Sequence, residues 1–479
     1  MNYRVVANIL GKVLLVEALL LLFPAAAALA YQESALPFLW TILPLLILGG
    51  ALNLVKPRST DLFAREGFVV VGLSWVLMSA FGALPFVLSG DIPHYVDALF
   101  ETVSGFTTTG SSILQDVEAM SRGCMFWRLF THWVGGMGVL VFIAAILPIS
   151  GEHYIHVMRA EVPGPTVSKL VPRARKTARI LYLIYLGLTL IEAALLICGG
   201  MSFYEGILHA FATAGTGGFS TRALSVAGFN SVYVEMVIAT FMLLFGVNFN
   251  LFYLILLGQG LSAFKSEELR VYLILIALSV LTIALNIMGS VGGFAQGLRY
   301  AYFQVTTILS TTGFSTCDFD RWPELSRWIL VLLMFSGGCA GSTAGGLKLS
   351  RVIILFKSYL YELKQLILPT RVKRIWFEGK AVSDQTVRSV LVYFQAYLAI
   401  IGLSVLIIAL DGHDLATNLT ASIACISNIG PGLNLVGPMG NFAFFSVPSK
   451  LVLVMEMLLG RLEIFPMLFL FCPSVWRKR

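Results

Sequence analysis

The chain has 479 residues, of which 57% are hydrophobic and only 12% charged, about half the charged fraction of an ordinary soluble domain. With apolar runs recurring at bilayer-spanning length, that balance excludes a soluble globular protein and describes an all-α polytopic membrane protein. The net charge of +7 would suggest nucleic acid in a soluble chain; here the basic residues gather in loops, where the positive-inside rule accounts for them.

About ten segments are long enough to cross a bilayer of ~30 Å. They are 5–30, 36–55, 68–88, 125–149, 179–199, 231–257, 271–290, 326–347, 389–410 and 448–472. The first, with Arg4 and Lys12 ahead of an apolar run ending Ala28-Leu29-Ala30, resembles a signal peptide. Its length, its Glu17 and the span that follows at once favour a retained helix. Four shorter runs, 94–107, 203–214, 296–310 and 414–426, are long enough to enter a membrane and too short to cross it. Lys and Arg collect on one side of this layout: Arg4, Lys12, Lys56, Arg58, Arg65, the 159–179 stretch, Lys265, Arg270, Lys348–Lys380 and Arg477–Arg479. Both termini are therefore expected in the cytoplasm. The six cysteines (Cys124, Cys198, Cys317, Cys339, Cys425 and Cys472) are scattered without a C-x-x-C and read as packing residues.

Each short run is followed by one kind of polar loop: Gly105–Ser112, Ala214–Thr221, Leu309–Thr316 and Ser427–Leu433. A glycine recurs in them at 110, 218, 313 and 430, a period of about 100 residues that fits fused membrane units. The organisation is two leading helices (1–66) and four repeats (67–177, 178–265, 266–380 and 381–479). Each repeat is helix, short re-entrant helix, polar loop, helix. All run in one orientation, which predicts pseudo-fourfold symmetry about the membrane normal.

Ordinary Gly-rich turns also look like one such loop; four in register do not. A polar loop at membrane depth must be buried in protein or line a watery cavity. Glycine lets carbonyls turn toward one axis, and rings of carbonyl oxygen can replace the hydration shell of a desolvated monovalent cation. A helix C-terminus ahead of the loop adds partial negative charge. An anion site would want Lys or Arg, and the loop cores hold neither.

Two features lie on the cytoplasmic side of these loops. Ser336–Gly346 carries five glycines in eleven residues, Gly337, Gly338, Gly341, Gly345 and Gly346, which cost a helix about 1 kcal/mol each. A broken helix lining a cavity is expected, with a small-residue packing face as the alternative. Arg461 sits inside the last apolar span, where a charge is costly and marks function by default. Its expected partners are carbonyls of the Gly-rich loop, or Glu456 and Glu463; a structural ion pair is the alternative. His132 and His209 are isolated and make no metal site. Asn248 and Asn250 line the inner cavity or hydrogen-bond neighbouring helices. Lys348–Lys380 reads as a cytoplasmic hinge and partner-docking surface, or as a segment held at anionic lipid.

Ser104–Gly110, Thr216–Thr221, Thr311–Thr316 and Asn428–Gly432, with Trp133–Gly138 and Gly460–Glu463, resemble the Trk/Ktr/HKT superfamily of potassium transporters over nearly the whole chain. The two extra leading helices and the last motif look most like its TrkH branch. The resemblance implies a K⁺ filter of Thr108, Thr109, Gly110, Thr216, Gly217, Gly218, Thr311, Thr312, Gly313, Asn428, Ile429 and Gly430. It implies that the Gly-rich loop and Arg461 form the gate, and that the protein is a homodimer in the inner membrane with one pore per protomer. A TrkA-like cytoplasmic nucleotide-binding regulatory subunit is the implied partner. K⁺ is the transported ion, and no organic cofactor is expected on this chain, which has neither a Walker A motif nor a Rossmann glycine motif. Plant relatives with Ser in the first repeat favour Na⁺; glycine at all four positions predicts K⁺ over Na⁺. The residues after these glycines are Ser111, Phe219, Phe314 and Pro431, without a Tyr-Gly continuation, so a short filter is expected. The alternatives are a Na⁺-permeable member of the superfamily, a secondary transporter of a small solute with inverted repeats, and an intramembrane enzyme, for which no acid, base or metal cluster is offered.

Overall fold

A computed structural model describes residues 1–55, 64–138, 174–367 and 374–476. The protein is an all-α polytopic membrane protein; its one strand pair among the described residues is a small hairpin, Trp376–Phe377 with Lys380–Ala381. Among the described residues, six helical stretches are long and apolar enough to cross a membrane: Tyr3–Ala30, Leu36–Leu54, Arg65–Ser89, Ala178–Cys198, Glu267–Ile287 and Asp384–Asp411. These fall on predicted spans.

The other four predicted spans are each interrupted. The stretch 231–257 is two helices, Val232–Phe245 and Phe249–Leu256, bent by 93°. The stretch 326–347 is a helix only as far as Ser336. The stretch 448–472 breaks after Arg461 and resumes at Phe465–Leu470, with Glu463 and Ile464 at positive φ in the gap. The helix Arg122–Gly136 ends well short of the predicted 149, and residues 139–173 lie outside the described set, as do Lys56, Arg58, Arg159, Lys169, Arg173 and Arg477–Arg479. The physical cause is local: Gly136, Gly246, Gly337 and Gly460 stand at the four breaks, where helical propensity is lowest.

The four short runs are helices: Tyr95–Phe106, Phe203–Gly215, Phe294–Leu309 and Leu415–Ile426. Their starts are written in the sequence. Ser202 caps the second by accepting from the Glu205 N–H at 3.2 Å, while its hydroxyl donates to the Glu205 carboxylate, a variant of the S-x-x-E box. Asp414 caps the fourth, accepting from the Thr417 N–H at 3.1 Å. The Thr417 hydroxyl bond, first among its contacts, holds this carboxyl below the ordinary carboxylate range. Each short helix is buried along its C-terminal half, so the polar loops that follow are delivered into the interior of the bundle.

Candidate functional site

All four short helices end the same way. The first loop residues Thr108, Thr216, Thr311 and Asn428 have φ of 57°, 56°, 57° and 54°. The next amide in each case reaches back to the helix: Thr109 to Ser104 at 2.8 Å, Gly217 to Ala212 at 2.8 Å, Thr312 to Thr307 at 2.8 Å, Ile429 to Ala424 at 2.9 Å. This is a Schellman ending, which ordinarily uses glycine in the left-handed position. A β-branched residue there is a genuine outlier, and strain of about 1–3 kcal/mol persists only where the surroundings impose it. Three threonines and an asparagine hold that place here.

Two residues on comes the repeated glycine, with φ of 82°, 77°, 87° and 100° at Gly110, Gly218, Gly313 and Gly430. Each faces the next loop. A Cβ on Gly110 would lie 2.0 Å from the Gly217 carbonyl oxygen, one on Gly218 2.1 Å from that of Thr312, and one on Gly313 2.0 Å from that of Ile429. A Cβ on Gly430 would lie 2.9 Å from the Thr109 carbonyl oxygen. The order is first to second to third to fourth and back to first: a closed ring in which every glycine meets the carbonyl preceding its neighbour's glycine. The ring borders a cavity of about 170 Å³ lined by all four glycines. Across the fourth-to-first seam, Ser111 donates to the Gly430 carbonyl at 3.1 Å and the Asn428 amide to the Thr109 hydroxyl at 2.9 Å. The Thr108 hydroxyl is buried with no protein hydrogen-bond partner among the described residues.

A second set of residues, of which the sequence reading had noted only His209 and for metal binding alone, grips the descending arm of each loop from behind. Glu101 accepts from the Ser112 hydroxyl and the Ile113 N–H, both at 2.9 Å. His209 Nε2 meets the Ser220 hydroxyl at 3.0 Å, and the Gln304 side chain donates to Cys317 Sγ at 3.7 Å. In the fourth repeat, Thr420 accepts from the Leu433 N–H at 2.9 Å. Glu101, His209 and Gln304 each stand nine positions before their glycine; lining the repeats up on that glycine would have exposed them. Arg128 adds a cross-repeat strut. It pairs with Glu101 at 2.6 Å, donates to the Ser220 carbonyl at 3.1 Å, and lies 3.6 Å from the Phe219 ring centroid. His132 is a second strut, with Nδ1 on the Gly105 carbonyl at 2.7 Å and Nε2 accepting from the Phe219 N–H at 3.3 Å. Phe219 and Phe314, where a Tyr would continue a channel-like motif, are buried against His132 and His209.

The Gly-rich stretch touches the second, third and fourth repeats. Its Cys339 N–H donates to the Gly246 carbonyl at 2.9 Å, and its Gly341 carbonyl accepts from the Phe249 N–H at 3.0 Å. The Gly345 N–H donates to the Thr311 hydroxyl at 2.6 Å, and a Cβ there would lie 2.5 Å from the Ser427 carbonyl oxygen. Gly337 and Gly346 pack on each other with φ of 65° and 75°, and Gly338 sits against Ala344 and the Gly246 carbonyl. Arg461 donates to the Thr343 carbonyl at 2.9 Å, to the Gly136 carbonyl at 2.7 Å and to the Gly135 carbonyl. Glu456 accepts from the Ser422 hydroxyl at 2.5 Å, and Glu463 pairs with Arg351. Asn248 accepts from the Asn250 N–H at 3.0 Å and stands against Gly341.

Four like units closing a polar ring inside an apolar helical body define a membrane transport protein, not an enzyme. The chain belongs to the TrkH family, described as cation transport proteins, whose family model matches residues 38–478. The Trk system potassium uptake protein TrkH of Salmonella typhimurium is 36% identical over 486 residues, covering 100% of both chains. Trk system potassium uptake protein TrkG of Escherichia coli K12 is 33% identical, covering 100% of this chain and 99% of its own. The crystal structure of the potassium transporter TrkH from Vibrio parahaemolyticus is similar with a TM-score of 0.89, at 32% identity and 100% coverage of both chains.

Proposed function

We propose that this chain is the pore-forming subunit of a potassium uptake system of the inner membrane. Thr108–Gly110, Thr216–Gly218, Thr311–Gly313 and Asn428–Gly430 supply the oxygens that replace a K⁺ hydration shell. The observation that carries the reading is the closed glycine-to-carbonyl order of the four loops, since an ion on an axis needs oxygens from all sides. With no Tyr-Gly continuation, the filter is short and control falls to the stretch Gly337–Gly346 and Arg461. That stretch obstructs the path on the cytoplasmic side of the ring. Arg461 both holds it, through Thr343, and opposes a passing cation. A unit charge about 8 Å away raises a cation's energy by about 2 kcal/mol at an effective dielectric near 20. The family pattern extends the proposal to a homodimer with one pathway per protomer and a TrkA-like nucleotide-binding partner in the cytoplasm, with both termini on that side.

The test is radiolabelled rubidium uptake into liposomes holding the purified protein, with Na⁺ or K⁺ as competitor. K⁺ is expected to suppress uptake at concentrations where Na⁺ does not. Equal competition would move the protein to a Na⁺-permeable class, and no uptake by well-folded protein would overturn the reading.

A further inference from the structure

One carboxylate brackets the second half of the Gly-rich stretch, from Ala340 inside it to Ser350 in the helix that follows. Glu268, in the first helix of the third repeat, is buried. Its Oε1 accepts from the Ala340 N–H at 2.8 Å and from the Ser350 N–H at 2.9 Å, amides on either side of Gly341–Gly346. Both bonds converge on a single oxygen. Take that oxygen away and two amides on opposite sides of Gly341–Gly346 lose their shared acceptor together.

Glu268 is itself held from the hairpin Trp376–Ala381. Glu378, at the tip of this hairpin, accepts at Oε1 from the Glu268 backbone N–H at 2.9 Å and from the Ser266 hydroxyl at 2.8 Å. Ser266 is the N-cap of the helix Glu267–Ile287, so the Glu378 charge also sits where a helix favours an anion. Glu378 and Gly379 have φ of 48° and 69°. Two left-handed residues make a type I′ turn, which favours Asn, Asp or Gly at its first place; a glutamate is there against that preference. A second tie runs beside it: Lys357, on the helix that leaves the Gly-rich stretch, donates to the Trp376 carbonyl at 2.6 Å and pairs with Glu267. The hairpin therefore grips the helix that carries Glu268 and the helix that leaves the stretch, and the exposed Trp376 ring is its outward handle.

We propose that Glu268 is a positioning residue that holds the Gly-rich stretch in its obstructing conformation, and that the hairpin Trp376–Ala381 sets this hold through Glu378. The inference rests on the gate reading above, and it adds a staple and a lever to it. Displacing the hairpin moves the Glu268 amide and with it the oxygen that the Ala340 and Ser350 amides share.

Two readouts test it on the full-length protein in liposomes: rubidium uptake, and the rate at which a small maleimide modifies Cys339, followed by peptide-resolved mass spectrometry. Cys339 lies in the stretch and is buried. Glu268→Ala is expected to raise both rates about tenfold, the scale of a lost charged hydrogen bond, with the K⁺ over Na⁺ preference unchanged. Glu268→Gln should fall between, because an amide oxygen still accepts. Glu378→Ala should act in the same direction, and the double variant should match Glu268→Ala alone, since the two act in series. Unchanged Cys339 modification in folded Glu268→Ala protein overturns the inference, as do fully additive effects of the two variants. If wild-type protein carries no rubidium while Glu268→Ala still unmasks Cys339, the ion assignment fails and the staple stands.

Discussion

The Gly345 N–H donates to the Thr311 hydroxyl at 2.6 Å, so the Gly-rich stretch is bonded directly to one of the four ring loops. Thr311→Val keeps the shape of the side chain and removes the acceptor. The Gly345 amide is then buried without a partner, at a cost of about 1–3 kcal/mol, which tilts the stretch away from its present position. Rubidium flux is expected to rise about tenfold in Thr311→Val and to stay near wild type in Thr311→Ser. Equal flux in the two variants would show that the bond does not bear on gating.

The ring glycines are not equivalent. A Cβ at Gly110, Gly218 or Gly313 would stand 2.0–2.1 Å from a carbonyl oxygen, and one at Gly430 2.9 Å from one. All four are left-handed, which adds about 1–2 kcal/mol for any L side chain. Gly110→Ser, Gly218→Ser and Gly313→Ser are therefore expected to lose most of the K⁺ over Na⁺ preference, and Gly430→Ser to keep the larger part of it. Na⁺ competition of rubidium uptake measures the ranking.

Arg461→Ala removes a charge from beside the path and a bond to the Thr343 carbonyl, so both changes raise flux, most clearly at low driving force. Arg461→Lys retains the charge but cannot fork across three carbonyls, and an intermediate flux is expected. Flux at or below wild type in folded Arg461→Ala protein would count against a barrier.

Arg128 and Glu101 are both buried, and breaking such a pair from one side leaves a charge uncompensated, at about 3–5 kcal/mol. Arg128→Ala should lower the thermal unfolding temperature in detergent markedly. Arg128→Met combined with Glu101→Gln should recover part of the loss, because no unpaired charge is left. The same single variant should loosen selectivity, as the Ser112, Phe219 and Ser220 contacts of Arg128 join the first loop to the second.

The long apolar spans and the four short helices were legible because hydrophobic length and capping residues such as Ser202 and Asp414 act locally. The repeated glycine was legible because it recurs. What was not legible depends on register between distant segments. Spans 231–257 and 448–472 read as continuous because hydropathy does not register a bend, whereas the five glycines of Ser336–Gly346 announced the break in 326–347. Glu101, Arg128 and Glu268 drew no reading from the sequence, since their partners lie 11 to 110 residues away. His132 and His209 were considered only as metal ligands, whereas each bonds to the backbone or a hydroxyl of a loop. Between loop carbonyls and carboxylates as partners for Arg461, the sequence offered no way to choose; the fold puts Thr343 and Gly136 within its reach.

The fourth-to-first seam is the widest joint of the ring, with an asparagine where the other three quarters have threonine. A tetramer of identical chains could not have such a joint, because any change would appear four times. Here each quarter is written separately, so one quarter can carry the Gly-rich stretch, another the arginine bonded to it, and another the buried ion pair. A substitution in this chain lands once, and the oddities of each quarter are open to adjustment one at a time.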